Sequence, residues 1–109
     1  VVNDRLKLDP ASLLGLARRS AALLRARGAD LNGAEPALDT IRTETAWLGN
    51  GYAHPTRAGD HALTRASTQA GLTLEHTYTA KALAALLDLD ATGRLDGGPV
   101  VFLQTHGPR

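Results

Sequence analysis

The stretch GGPVVFLQT, Gly97 to Thr105, decides how this chain is read as a fold. Its apolar run, Val100 to Leu103, is continuous rather than alternating, the pattern of a strand buried on both faces of a parallel sheet. Upstream, ALDTIRTETAWL (37–48) does alternate: Leu38, Thr40, Arg42 and Glu44 oppose Asp39, Ile41, Thr43 and Thr45, which predicts a second strand over 38–46. Residues 1–8 alternate weakly and predict a third, short strand or extended lead-in. Helical patterns lie between these segments. Asp9-Pro10-Ala11-Ser12 offers a capping side chain and a proline in the first turn. Leu13, Leu14, Leu16, Ala17, Ala21, Leu23 and Leu24 follow at helical spacing until Gly28, predicting a helix over 11–27. A second helix is expected over 57–70, stopped by Gly71, and a third from near Thr77 to near Gly93. LNGAEP reads as a turn, and GNGYAHPT (49–56) as a loop. The order strand, helix, strand, helix, helix, strand is an α/β pattern, with a parallel sheet covered by helices on its faces.

Composition narrows the function classes. The 109 residues carry twelve basic and eleven acidic side chains, a formal charge of +1. Arg18, Arg19, Arg25 and Arg27 cluster on a helical pattern with few aromatics nearby, so they read as a solvated face and nucleic-acid binding is not expected. With no cysteine there is neither a disulfide framework nor a thiolate zinc site. No apolar run approaches the roughly 20 residues of a membrane span, and VVNDRLKLDP lacks the layout of a signal peptide, so a cytoplasmic setting without membrane contact is expected. A strand-like opening in a chain with no Met suggests a piece of something longer, or a processed chain.

Two site motifs fail on inspection. DLDATGRLD (88–96) begins like a calcium loop, but its twelfth position, which needs a bidentate Glu, is Pro99. His54, His61, His76 and His106 show no ligand-like spacing, so no metal is expected. Ser12, Ser20 and Ser67 sit in no strand-turn-helix elbow.

What remains is a set of hydroxyls at element ends. The helix opening LEHTYTAKALAALLDLDATG (74–93) starts with Thr77-Tyr78-Thr79 and places Lys81 one turn in, poor choices for packing alone. Tyr52 lies in the Gly-rich loop, and Thr105 lies just past the last apolar run, before His106 and Gly107. Helix starts and strand ends are where open α/β sheets hold polar ligands, although capping alone also puts hydroxyls there.

Three linked segments, LGNGYAHPT, GLTLEHTYTAKALAALL and PVVFLQTHG, together resemble the C-terminal third of the tryptophan-synthase-β-like (fold type II) pyridoxal-phosphate enzymes, in particular the aminocyclopropane-carboxylate deaminase and D-cysteine desulfhydrase family. The resemblance covers about residues 38–107, and the 11–27 helix fits the family's preceding sheet-covering helix only as a generic pattern. Members carry a Gly-Tyr-Gly-x-Pro loop, a DPVYTGKA helix start and a strand ending in HTGG. It implies a three-layer αβα fold with a mostly parallel sheet, residues 1–109 being one segment from the C-terminal part of a larger catalytic domain. It further implies that Tyr78 lies beside the reacting amino acid and relays protons, that Tyr52 helps hold the substrate, and that Thr105 approaches the pyridine nitrogen of pyridoxal phosphate. Thr79 is expected beside the cofactor. The deaminases place Glu after the matching tyrosine where this chain has Thr79, which points to the desulfhydrase side. A hydroxyl partner leaves the ring nitrogen largely unprotonated, which suits β-elimination. The Schiff-base lysine and the Gly-rich phosphate loop of the family are missing: Lys81 matches its other conserved-motif lysine, and Lys7 has no matching context. THG for TGG and YTAK for YTGK are further departures, and His106 would narrow the space beside the ring. The expected protein is therefore a lyase or deaminase of a small amino acid, inactive as this chain alone and completed by an N-terminal part. With apolar area uncovered, marginal stability and a homodimer are expected. The alternatives are a non-catalytic α/β module that binds a ligand or partner, and an unrelated α/β domain whose hydroxyls only cap helices.

Overall fold

The computed structural model describes residues 3–6, 8–34, 36–95 and 97–106. They form two compact units, Leu6–Thr43 and a second built from Val1–Arg5 with Glu44–Arg109.

In the first unit, helix α1 spans Pro10–Ala26. Asp9 starts it: one carboxylate oxygen accepts the Ser12 amide at 2.9 Å and the other accepts the Ser12 hydroxyl at 2.9 Å. Pro10 costs nothing here, because a first-turn amide has no intrahelical acceptor anyway. Leu14 and Ala21 are buried, whereas Leu16, Leu23 and Leu24 stand about half exposed. A single 3-10 turn, Leu38–Thr40, packs against α1.

The second unit is organised by two helices, α2 over Arg57–Ala70 and α3 over Thr79–Ala91. The Thr56 hydroxyl caps α2 by accepting the Gly59 amide at 3.0 Å. Gly71 ends it in the left-handed region (φ 63°), letting the Gly71 and Leu72 amides return to Ser67 and Ala66 carbonyls at 3.2 Å each. The buried face of α2 is Gly59, Ala62 and Ala66, spaced three and four apart; α3 answers with Ala80 and Ala84. Small side chains on both sides let the helices approach closely: a Cβ on Gly59 would already sit 3.7 Å from the Ala80 Cβ.

The expected αβα fold is not the architecture. Among the described residues there are three α-helices and no strand. Residues 38–46 form the 3-10 turn and irregular chain, because Thr40 turns its hydroxyl onto the Ala37 carbonyl at 2.8 Å, a local bond that competes with extended pairing. Asn3 to Leu6 turn rather than extend, while Val1, Val2 and Lys7 of the expected first strand lie outside the described residues. Residues 99–104 do not form the doubly buried strand: Val101 is 87% and Leu103 76% exposed. Val100 and Phe102 instead join Leu86, Leu87, Asp90 and Leu95 around a shallow cavity of about 240 Å³ beside α3. The apolar run reads as a strand, but a strand exists only with a ladder partner, and none is found among the described residues.

The close α2–α3 contact leaves no room for growth at its centre. Ala80→Leu is expected to lower unfolding free energy by about 1–3 kcal/mol in urea denaturation, while Leu at the exposed Ala82 is expected to be nearly neutral.

Candidate functional site

The start of α3 is held by a carboxylate. Glu75 accepts the amides of Thr77, Tyr78 and Thr79 at 2.6, 2.8 and 2.7 Å. Two of those donors, Tyr78 at the N-cap and Thr79, are among the unpaired N–H groups of the helix beginning, so one negative side chain satisfies both at the positive end of the helix dipole. Burial pushes the Glu75 pKa up, but the amides of Thr79, Tyr78 and Thr77 and the Thr79 hydroxyl outweigh it, and the net shift is downward. The buried Thr79 completes the knot: its hydroxyl accepts the Glu75 amide at 3.0 Å and lies 3.1 Å from the carboxylate. Thr79 is thus engaged with its own helix start, not turned outward.

Tyr78 is turned the other way. Its hydroxyl donates to that of Tyr52 at 2.9 Å, and the ring centroids are 5.8 Å apart. Donating this proton raises the Tyr78 pKa, with burial and the Tyr52 and Glu75 charges adding to the effect, so Tyr78 is a protonated phenol at neutral pH. The imidazole of His106 meets the Tyr78 ring edge to face, centroids 5.4 Å apart at 72°. On the far side, the Arg5 guanidinium lies 5.6 Å from the centre of the Tyr52 ring, and the Tyr52 amide donates to Asp4 at 3.3 Å. Thr105 is exposed next to His106. Tyr52 and Tyr78 therefore share one cluster, with His106 as its third ring.

Lys81 explains why the loop reaches α3. It is fully buried, and its ammonium donates to the carbonyls of Leu48 at 2.7 Å and Gly51 at 3.0 Å. The loop is tight: Gly49 has φ 68°, and a Cβ there would collide with the Thr56 methyl, so only glycine fits. Lys81 reads from sequence as an oddity; here it is the tie that delivers Tyr52 to Tyr78. Glu75 and Arg5 escape the motif reading, whereas His106, singled out there as narrowing the space beside the cofactor ring, lies against the Tyr78 ring. Glu75 does leave a trace, an acid three residues ahead of Tyr78 where α3 begins. The contacts of Arg5 and His106 leave none, being set by tertiary placement.

Among the described residues no group of three or more His, Asp or Glu side chains could hold a metal ion, and no helix is long and apolar enough to cross a membrane. No known family model matches the chain, and no curated protein is similar to it.

Two measurements probe this geometry. A lowered Glu75 pKa means its contribution is complete above the ordinary glutamate value of about 4.3 and is lost as pH falls through the folded value. Helicity followed by circular dichroism from pH 6 to about 2 should therefore show an acid loss that Glu75→Gln flattens. Lys81→Met leaves two carbonyls without their donor and is expected to cost about 1–3 kcal/mol in chemical denaturation; unchanged stability would show the ammonium to be dispensable.

Proposed function

We propose that these residues are the C-terminal portion of a pyridoxal-phosphate-dependent lyase or deaminase acting on a small amino acid, with D-cysteine-like β-elimination favoured over opening of a cyclopropane amino acid. The observation that carries the reading is the hydroxyl contact between Tyr52 and Tyr78, 26 residues apart in sequence and 2.9 Å apart in space. Helix capping does not call for it, since the carboxylate that accepts the first amides of α3 is Glu75, and neither tyrosine is among the buried core residues.

The residues fit one wall of such a site and not its anchor. Lys81, buried and donating to two carbonyls, is committed to the loop and is not the lysine that would carry the cofactor; that lysine and the phosphate loop belong to the N-terminal part that completes the enzyme. Thr105, by resemblance, would offer its hydroxyl to the ring nitrogen, and Thr79 would support the wall from within the helix start. When bound, the cofactor supplies the electron withdrawal that loosens bonds to the amino acid's α-carbon. The chain's own contribution is a proton held at the Tyr78 oxygen, relayed through Tyr52, beside a substrate that Tyr52 also orients. At neutral pH Tyr78 holds its proton and so would enter as the donor to a departing group; a pKa raised above the ordinary tyrosine value makes it a weaker acid, and the step rests on its placement.

The complete protein is expected to be yellow from bound cofactor. In it, Tyr78→Phe should reduce turnover of D-cysteine by roughly 10²–10⁴ with cofactor retained, since only proton transfer is lost. Thr105→Val should mainly alter cofactor absorbance and affinity, by about 1 kcal/mol. Single-turnover kinetics on D-cysteine and the cyclopropane amino acid separate the two; a wild-type rate for Tyr78→Phe on every processed substrate would sink the assignment.

A further inference from the structure

Resting on the enzyme reading and deepening it, we propose that His106 is a positioning residue that holds the Tyr78 ring in the one orientation from which its phenol can act. The Tyr78 hydroxyl is restrained through Tyr52, and Tyr52 is itself held by Asp4 on its amide and Arg5 over its ring. That secures one end of a stack. The other end is His106, edge to face on Tyr78 at 5.4 Å. His106 is brought there by its own segment: the Gln104 side-chain amide donates to the Thr73 carbonyl at 2.9 Å, fastening the chain beside the residues that lead into α3. A phenol ring gripped at its oxygen alone can still swing about its side-chain bonds; a second ring against it removes that freedom.

The role is one of shape. The Tyr78 proton is directed at Tyr52, and the imidazole meets the ring, so an aromatic of similar outline can replace it. His106→Phe is therefore the conservative variant and His106→Gly the deletion. In the complete, cofactor-loaded enzyme assayed on D-cysteine, His106→Gly should lower kcat about three- to tenfold, the loss of one aromatic edge contact. KM should stay within about twofold, because the substrate is not what His106 touches. His106→Phe should restore kcat. In the 109-residue chain itself, the Tyr78 ring-proton shifts should move with His106→Gly and stay near wild type with His106→Phe.

Equal damage from Phe and Gly, full activity of His106→Gly, an effect on KM alone, or unmoved Tyr78 shifts would each overturn the assignment. Absence of cofactor uptake or turnover in the wild-type enzyme is a different failure, visible before any variant is made. It would remove the enzyme reading and the positioning role with it.

Discussion

The ammonium of Lys81 is the point on which the second unit turns. A charge removed from water costs heavily unless hydrogen-bonded partners replace the solvent, and here the replacements are the Leu48 and Gly51 carbonyls, 33 and 30 residues upstream. Lysine is almost never fully buried without partners; here both carbonyls lie in the loop that turns at Gly49, close against Thr56. Satisfying the ammonium joins a loop to a helix, and the join carries Tyr52 to Tyr78. Thr56 serves two ends of the same arrangement, capping α2 while its methyl closes over Gly49.

The helices were legible because their signals are local. Asp9 with Pro10 before α1 and Gly71 after α2 are contacts within a few residues, and each appears in space where spacing put it; the Thr56 cap of α2 is equally local, but in the sequence Thr56 reads only as part of a loop. Strands are different. Alternation at 38–46 and the apolar run at 100–103 are statements about burial by something else, and only pairing turns them into a sheet. In this chain the first segment spends its hydroxyl on a local turn, and the second lays Val100 and Phe102 along α3 with Val101 outward. The same residues that suggest a sheet therefore pack without one.

The tyrosine pair was legible through scarcity and position. Two tyrosines in 109 residues, one in a Gly-rich loop and one at a helix start, draw attention before any contact is known, and their hydroxyls do meet. Thr79 shows the limit of that reasoning: a hydroxyl at a helix start looks like a ligand group, yet it is tied to Glu75. Arg5 and His106 lie near opposite ends of the chain and flank the pair from either side, a relation that no spacing rule encodes.

The hydroxyl pair also makes the molecule optically self-reporting. All phenol absorbance of these 109 residues arises from Tyr52 and Tyr78, and the single indole, Trp47, is spectrally separable. Two phenols joined by one hydrogen bond are unequal chromophores, since one gives its proton and the other receives it. Ultraviolet difference spectra and Raman tyrosine bands of the unlabelled chain therefore read a single contact, without the averaging over scattered surface tyrosines that blurs such signals in most proteins.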